Sequence, residues 1–346
     1  MRWWTILLIL FSLTSCLNTA PKSISKVEID PIYTDSLSIR AIAAVDDSNV
    51  WFAANKGRIG LIHDTVPKLA TISYEERALE FRAIGLTSEA LFVLSIGSPA
   101  VLYKIGYQNE QATNIEEVYI EEGKNVFYDA IRFWNDEEGI AMGDPTDGCL
   151  SILITRDGGD TWNKLSCDQL PTTAPGEAAF AASNSNIAIV GDNAWLVTGG
   201  TRARVFHSSD KGKTWEVYST PIIQGQAMTG IYSVDFYDEQ KGIIIGGNWD
   251  QQDSKNGNKA ITTDGGQTWN LIADGQEPGY RSSVRYVPGS NGKGIVAVGM
   301  PGISYSNDGG AQWIELSKEG FYAIEFVNDS IAFASGKNKI ARLKFE

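Results

Sequence analysis

The sequence predicts an all-β fold, a seven-bladed β-propeller of four-stranded antiparallel blades. Three observations carry this expectation. A turn motif, S/T-x-D-x-G-x-T-W, recurs as "TRDGGDTW" (155–162), "SSDKGKTW" (208–215) and "TTDGGQTW" (262–269), and "SNDGGAQW" (306–313) departs from it only at Gln312. Each copy sits in a longer unit of four short apolar segments separated by polar turns, clearest in "IYSVDFYD", "KGIIIGGN", "NKAITTD" and "TWNLIAD". That order is the signature of an antiparallel meander. Seven such units of roughly 44 residues each can be traced, a spacing within the range of propeller blades.

The termini predict how the ring closes. The last copy, "FYAIEFVNDSIAFASGKNKIARLKFE", runs out after three strands, while "SKVEIDPIY" (25–33) precedes the first copy without a meander of its own. Pairing the N-terminal strand onto the last blade completes it and removes an exposed sheet edge. Before that strand, Arg2, the apolar run from Ile6 to Leu13 and "LTSC" (13–16) read as a bacterial lipoprotein signal, with Cys16 the lipidated residue. The expected organisation is a signal peptide over 1–15, a tether over 16–24 and the propeller over 25–346. It places the protein in the bacterial cell envelope, attached to a membrane only through its lipid anchor, on the periplasmic face of the outer membrane. No later stretch is long and apolar enough to span a bilayer.

Composition excludes several classes. The formal net charge is −13, which repels a phosphate backbone and argues against nucleic acid as a partner. The Gly-Lys-Thr at 212–214 is not a phosphate loop, because the position five before Gly212 is His207 rather than glycine. His63 and His207 are the two histidines and neither has a neighbour at metal-ligand spacing, so no metal and no cofactor are expected. Beyond Cys16 the remaining cysteines are Cys149 and Cys167, equidistant from Gly158 at the tip of the first motif hairpin. A ladder centred there sets them opposite each other, and an oxidising compartment favours a disulfide.

The motif has a structural logic of its own. Its aspartate (Asp157, Asp210, Asp264, Asp308) accepts backbone N–H groups of the turn. A glycine two residues later takes a conformation that other residues avoid. Its tryptophan (Trp162, Trp215, Trp269, Trp313) opens the outer strand and packs into the blade. All eight are expected to be structural.

With these motifs in place, the chain resembles the BNR or Asp-box propellers, which include sialidases and the photosystem II stability/assembly-factor-like proteins. It is most similar to bacterial exported propellers that share "GIAMGDP" (139–145), "PGEAAFAAS" (175–183), "TGG…ARVF" (198–206) and "PGYRSSVRYVPG" (278–289). Some of these carry the label oxidoreductase, for which this sequence has no dinucleotide fingerprint and no CxxC.

Meander topology puts the aspartate turns and the short first turns on one face, and the long loops on the other. The first residues of the innermost strands open onto that second face, around the channel: Arg40, Arg82, Asp129, Glu177, Tyr232, Arg281 and Tyr322. Asp144, Arg202, Arg204 and Asp250 lie on loops over the same mouth. Guanidinium groups beside carboxylates suit recognition of a carboxylate or sulfate group; the alternative is that these charges pair across blades and hold the channel shut. The expected function is a binding or assembly module, acting as a monomer, for an envelope protein or carbohydrate partner. The alternative is a sialidase-type glycoside hydrolase acting on an anionic sugar. Arg40 lies where the resemblance implies Arg-Ile-Pro, but this sequence reads Arg-Ala-Ile, and Glu177 and Tyr280 would have to supply other roles.

Overall fold

The computed structural model describes residues 23–108 and 111–346. The signal peptide, Cys16 and the tether up to residue 22 lie outside the described residues. Ile24 is already buried, in the cluster that holds Val296, Phe321 and Phe345.

The fold is an all-β propeller, but among the described residues it has six multi-stranded sheets, and this corrects the expectation of seven separate blades. Four sheets have four strands each and two have six, beside a small two-stranded hairpin. The difference arises at the termini. Strand Val27–Ala44 is 18 residues long. Its first part pairs antiparallel with Ile331–Phe345, from Val27 opposite Phe345 to Ser38 opposite Lys337. Its second part pairs with Asn49–Ala54, from Ile39 opposite Ala54 to Ala44 opposite Val50. The polar "TDSL" (34–37) that breaks the apolar pattern is only a register shift within this strand. The first and last copies therefore share one six-stranded sheet. The second six-stranded sheet forms because Glu177–Ala178 and Gly199–Gly200 extend the edge of the sheet containing Thr229–Phe236.

Within each blade the pattern follows burial. Second strands such as Gly242–Asn248 are buried along their whole length, which is why they read as continuous apolar runs. Outermost strands such as Val66–Thr71 are exposed throughout. The core lies between blades. Trp195 stacks on Phe236 of the next blade with centroids 3.6 Å apart, and Trp269 meets Phe236 edge-on at 6.0 Å.

The four aspartate turns are built alike. At the first, Asp157 accepts the Thr161 amide at 3.0 Å and the Thr155 and Thr161 hydroxyls at 2.8 and 2.6 Å. Gly159 has φ 81°, and a Cβ there would meet the Phe92 ring at 2.3 Å, so turn and packing both require glycine. At the fourth turn Gln312 keeps its amide bond to Asp308 but has no hydroxyl to give. Trp162 and Trp269 are buried, while Trp215 and Trp313 are half-buried. Each turn also donates to the first turn of its own blade, as Gly158 N–H does to Glu137 at 2.9 Å and Gly265 N–H to Gln240 at 3.0 Å. The aspartate turns and short first turns therefore share a face.

Cys149 and Cys167 form a disulfide with Cα atoms 5.5 Å apart. It ties the 166–177 loop to the 147–149 turn, beside the Thr173 N–H to Gly148 bond at 2.8 Å. Replacing both cysteines with Ala is expected to cost about 3 kcal/mol, from the entropy the unfolded chain regains. The urea midpoint of the variant measures this, and a cost below about 1 kcal/mol would show that the loop's other contacts suffice.

Candidate functional site

Four innermost strands carry a one-residue irregularity at their mouth end. Pairing skips a residue between Ile39 and Ala41, between Phe81 and Ala83, between Tyr128 and Ala130, and between Ile231 and Ser233. The skipped residues are Arg40, Arg82, Asp129 and Tyr232. A bulge re-aims its side chain out of the pleat, and here equivalent bulges in successive copies bring four sequence-predicted residues to the head of the channel.

The channel itself is closed by the chain. Residues 180–186, just before the inner strand Ile187–Val190, cross the axis and bond to five copies. Ala182 O accepts Arg40 Nη1 at 3.2 Å, Asn184 Nδ2 donates to Ile84 O at 2.8 Å, and Asn184 Oδ1 accepts Ile131 N–H at 3.0 Å. Ser185 O accepts Val234 N–H at 2.9 Å, and Ser183 Oγ donates to Ser282 O at 2.6 Å. Small polar side chains suit such a plug: those of Ser183 and Asn184 satisfy backbone groups of three other copies. Sequence reading missed the plug, although the run of four consecutive small polar residues "SNSN" (183–186) is its signal.

Above the plug lies a cavity of about 260 Å3, lined by Arg40, Arg82, Phe127, Phe180, Met228, Tyr232, Trp249 and Tyr280, among others. Phe180 and Tyr232 stack at 4.1 Å, and Tyr280 meets Tyr232 edge-on at 4.8 Å. The Arg40 guanidinium lies 4.1 Å over the Tyr322 ring. Arg82 donates twice to Glu80 Oε1, at 2.8 and 2.5 Å. Trp249 is 44% exposed at the rim, a large apolar side chain offered to solvent. Asp129 is fully buried beside this cavity, and Asp144 accepts the Ala179 amide at 2.8 Å. Burial pushes Asp144 up to about 6, against the pull of that amide.

The other predicted residues are not gathered here. Glu177 is buried and held by Arg204 through two bonds, at 3.0 Å to Oε1 and 2.5 Å to Oε2. Its remaining partners are the Thr198 hydroxyl at 2.7 Å and the Ala174 amide at 2.9 Å. Arg281 lines a separate cavity of about 410 Å3 with Lys255, Glu277, Glu315 and Lys318. It donates to Tyr280 O and to Ser304 Oγ, and burial lowers its pKa to about 10 despite Glu277 and Glu315. Arg202 and Asp250 are exposed on loops, and Asp250 sits in the turn that carries Trp249.

At the opposite end of the channel, Glu325 accepts Arg132 at 2.7 Å and Arg285 at 2.9 Å, with Asp235 nearby. Sequence reading missed this group, since its members stand mid-strand among apolar neighbours.

Fold and mouth together define a β-propeller with a plugged axis and an arginine-and-aromatic cavity over the plug. No family model matches the chain, and no curated protein sequence matches it. By structure, 1339 solved chains match, so the likeness is to an architecture that hosts many functions. One is YCF48 bound to D1 peptide, at 13% identity and TM-score 0.64, covering 94% of this chain and 98% of that one. Another is YCF48 from Cyanidioschyzon merolae, at 13% and 0.58, covering 93% and 99%. A third is the GH74 enzyme of Niastella koreensis, at 13% and 0.57, covering 89% of this chain and 43% of that one. At such identity the likeness shows the propeller fold and no family.

Proposed function

We propose that the chain is a lipid-anchored extracytoplasmic propeller that acts as a binding or assembly module for an envelope protein or glycan partner. The carrying observation is the mouth cavity, where Arg40, bonded to the Ala182 carbonyl, and Arg82, paired with the partly exposed Glu80, sit beside an aromatic wall. Arg82 is held by Glu80, whose side chain is 40% exposed, and so exposed a pair is readily exchanged for a ligand. Trp249 at the rim adds the kind of exposed aromatic that anchors partners. A propeller neighbour bound to a peptide supports a protein partner by analogy of fold. The anchor rests on the LTSC signal alone.

The glycosidase reading draws less support from the geometry. Glu177, its intended partner for a tyrosine, already spends both carboxylate oxygens on Arg204, Thr198 and Ala174.

Peptide and glycan arrays probed with the purified protein test the proposal. For any anionic ligand they return, Arg82→Ala is expected to weaken binding by about 1.5–3 kcal/mol, the worth of a charged hydrogen bond. Titration calorimetry measures it. Affinity unchanged in both Arg40→Ala and Arg82→Ala would reject the mouth as the binding site.

A further inference from the structure

Asp129 stands apart from the other bulged residues of the mouth. Its side chain is fully buried, and neither carboxylate oxygen has a hydrogen-bond partner. Two charged groups face it, Arg82 from the neighbouring inner strand and Asp144 from its own blade, while the plug offers only the Ala181 amide, which lies too poorly placed for a proper hydrogen bond. An ionised carboxylate in such surroundings is costly. Burial accordingly pushes its pKa well above the ordinary aspartate value, and Asp144 adds to this, with Arg82 and the Ala181 amide opposing. Beyond Arg82 stand Glu80, its weak partner, and the second guanidinium, Arg40.

We propose that Asp129 couples the binding of an anionic ligand at the mouth to the uptake of one proton. Neutral Asp129 leaves Arg82 to the ligand. Ionised Asp129 competes for Arg82 and repels the incoming anion across a poorly solvated gap. Asp129 is therefore a positioning residue, acting through Arg82. This rests on the reading of the mouth as a binding site. By linkage, a ligand that prefers neutral Asp129 raises its pKa, so affinity is highest at low pH and falls as pH rises through the range in which Asp129 ionises.

Sulfate is a suitable probe, because it is fully ionised between about pH 5 and about pH 8 and any pH dependence then belongs to the protein. At constant ionic strength, affinity for the wild-type protein should fall with pH, approaching tenfold per unit once Asp129 ionises. Asp129→Asn should bind at every pH and lose the steep fall, keeping at most the shallower slope that Asp144 contributes as it ionises near about 6. Asp144→Asn, which removes the neighbouring acid, should keep a slope. If Asp129→Asn does not fold, the wild-type and Asp144→Asn profiles decide by themselves: a slope in both supports the coupling, and its loss in Asp144→Asn overturns it in favour of that residue. A flat wild-type profile, or an unchanged slope in folded Asp129→Asn, overturns the coupling and leaves the mouth a binding site. No sulfate binding at any pH, with Arg82→Ala equally silent, overturns the coupling together with the reading of the mouth.

Discussion

Replacing Glu177 with Ala is expected to lower stability by about 3–5 kcal/mol and to leave ligand binding by the folded protein unchanged. The side chain is fully buried, and the Arg204 side chain that pairs with it is only 17% exposed. Truncation strands that guanidinium, the Thr198 hydroxyl and the Ala174 amide at once. Arg204 would keep its Nη2 bond to Thr172 O at 2.9 Å, while the buried Thr198 hydroxyl would lose its carboxylate partner. The 166–177 loop is fastened at its other end by the Cys149–Cys167 disulfide, so its freedom to rearrange is small. The large cost comes from what is left unpaired rather than from the net worth of the pair. A Glu177→Leu, Arg204→Met double replacement should accordingly recover much of the loss. Urea midpoints of the two variants against the wild type measure this. Binding lost at intact stability in Glu177→Ala would return Glu177 to the working surface.

How much of this was legible depends on what kind of signal each feature leaves. The aspartate turns and meander units are local, and local periodicity carried them into the correct strands, turns and face. The mouth position of Arg40, Arg82, Asp129 and Tyr232 was legible because equivalent bulges recur at equivalent points of the repeat. The number of sheets was not, because a strand that passes from one copy to another looks like two strands wherever a polar "TDSL" interrupts it. Glu177 and Arg281 start strands by sequence, yet partners on other strands, Arg204 and Ser304, decide where they point. The plug was hidden for a related reason: the bonds of "SNSN" to four other copies come from residues far away in sequence.

Glu325→Gln is expected to cost a further test of the same principle, about 3–5 kcal/mol, at the far end of the channel. Glu325 accepts Arg132 and Arg285 on one oxygen, at 2.7 and 2.9 Å, and Arg285 Nε on the other at 3.3 Å. Its side chain is 21% exposed and that of Arg285 10%, so solvent does little to screen the group. Burial alone would raise its pKa, but Arg285 and Arg132 outweigh burial and hold it at about 2. Its contribution is therefore present above the unfolded glutamate range and is lost as pH falls toward 2. Asp235 behaves in the opposite sense. Burial holds it at about 6 in spite of Arg285, so the stability it contributes is present below the unfolded aspartate range and is lost as pH rises through about 6. Without Glu325, Asp235 becomes the nearest counter-ion for two guanidinium groups, and its pKa should drop. The wild-type protein should then lose stability between about pH 5 and about pH 7.5, whereas Glu325→Gln should lose less over the same interval. The penalty of the substitution is thus greatest at the lower pH. Urea denaturation of both proteins at the two pH values checks the sign as well as the size. A penalty below about 1 kcal/mol at both would mean that water already solvates these charges, as at an ordinary surface pair.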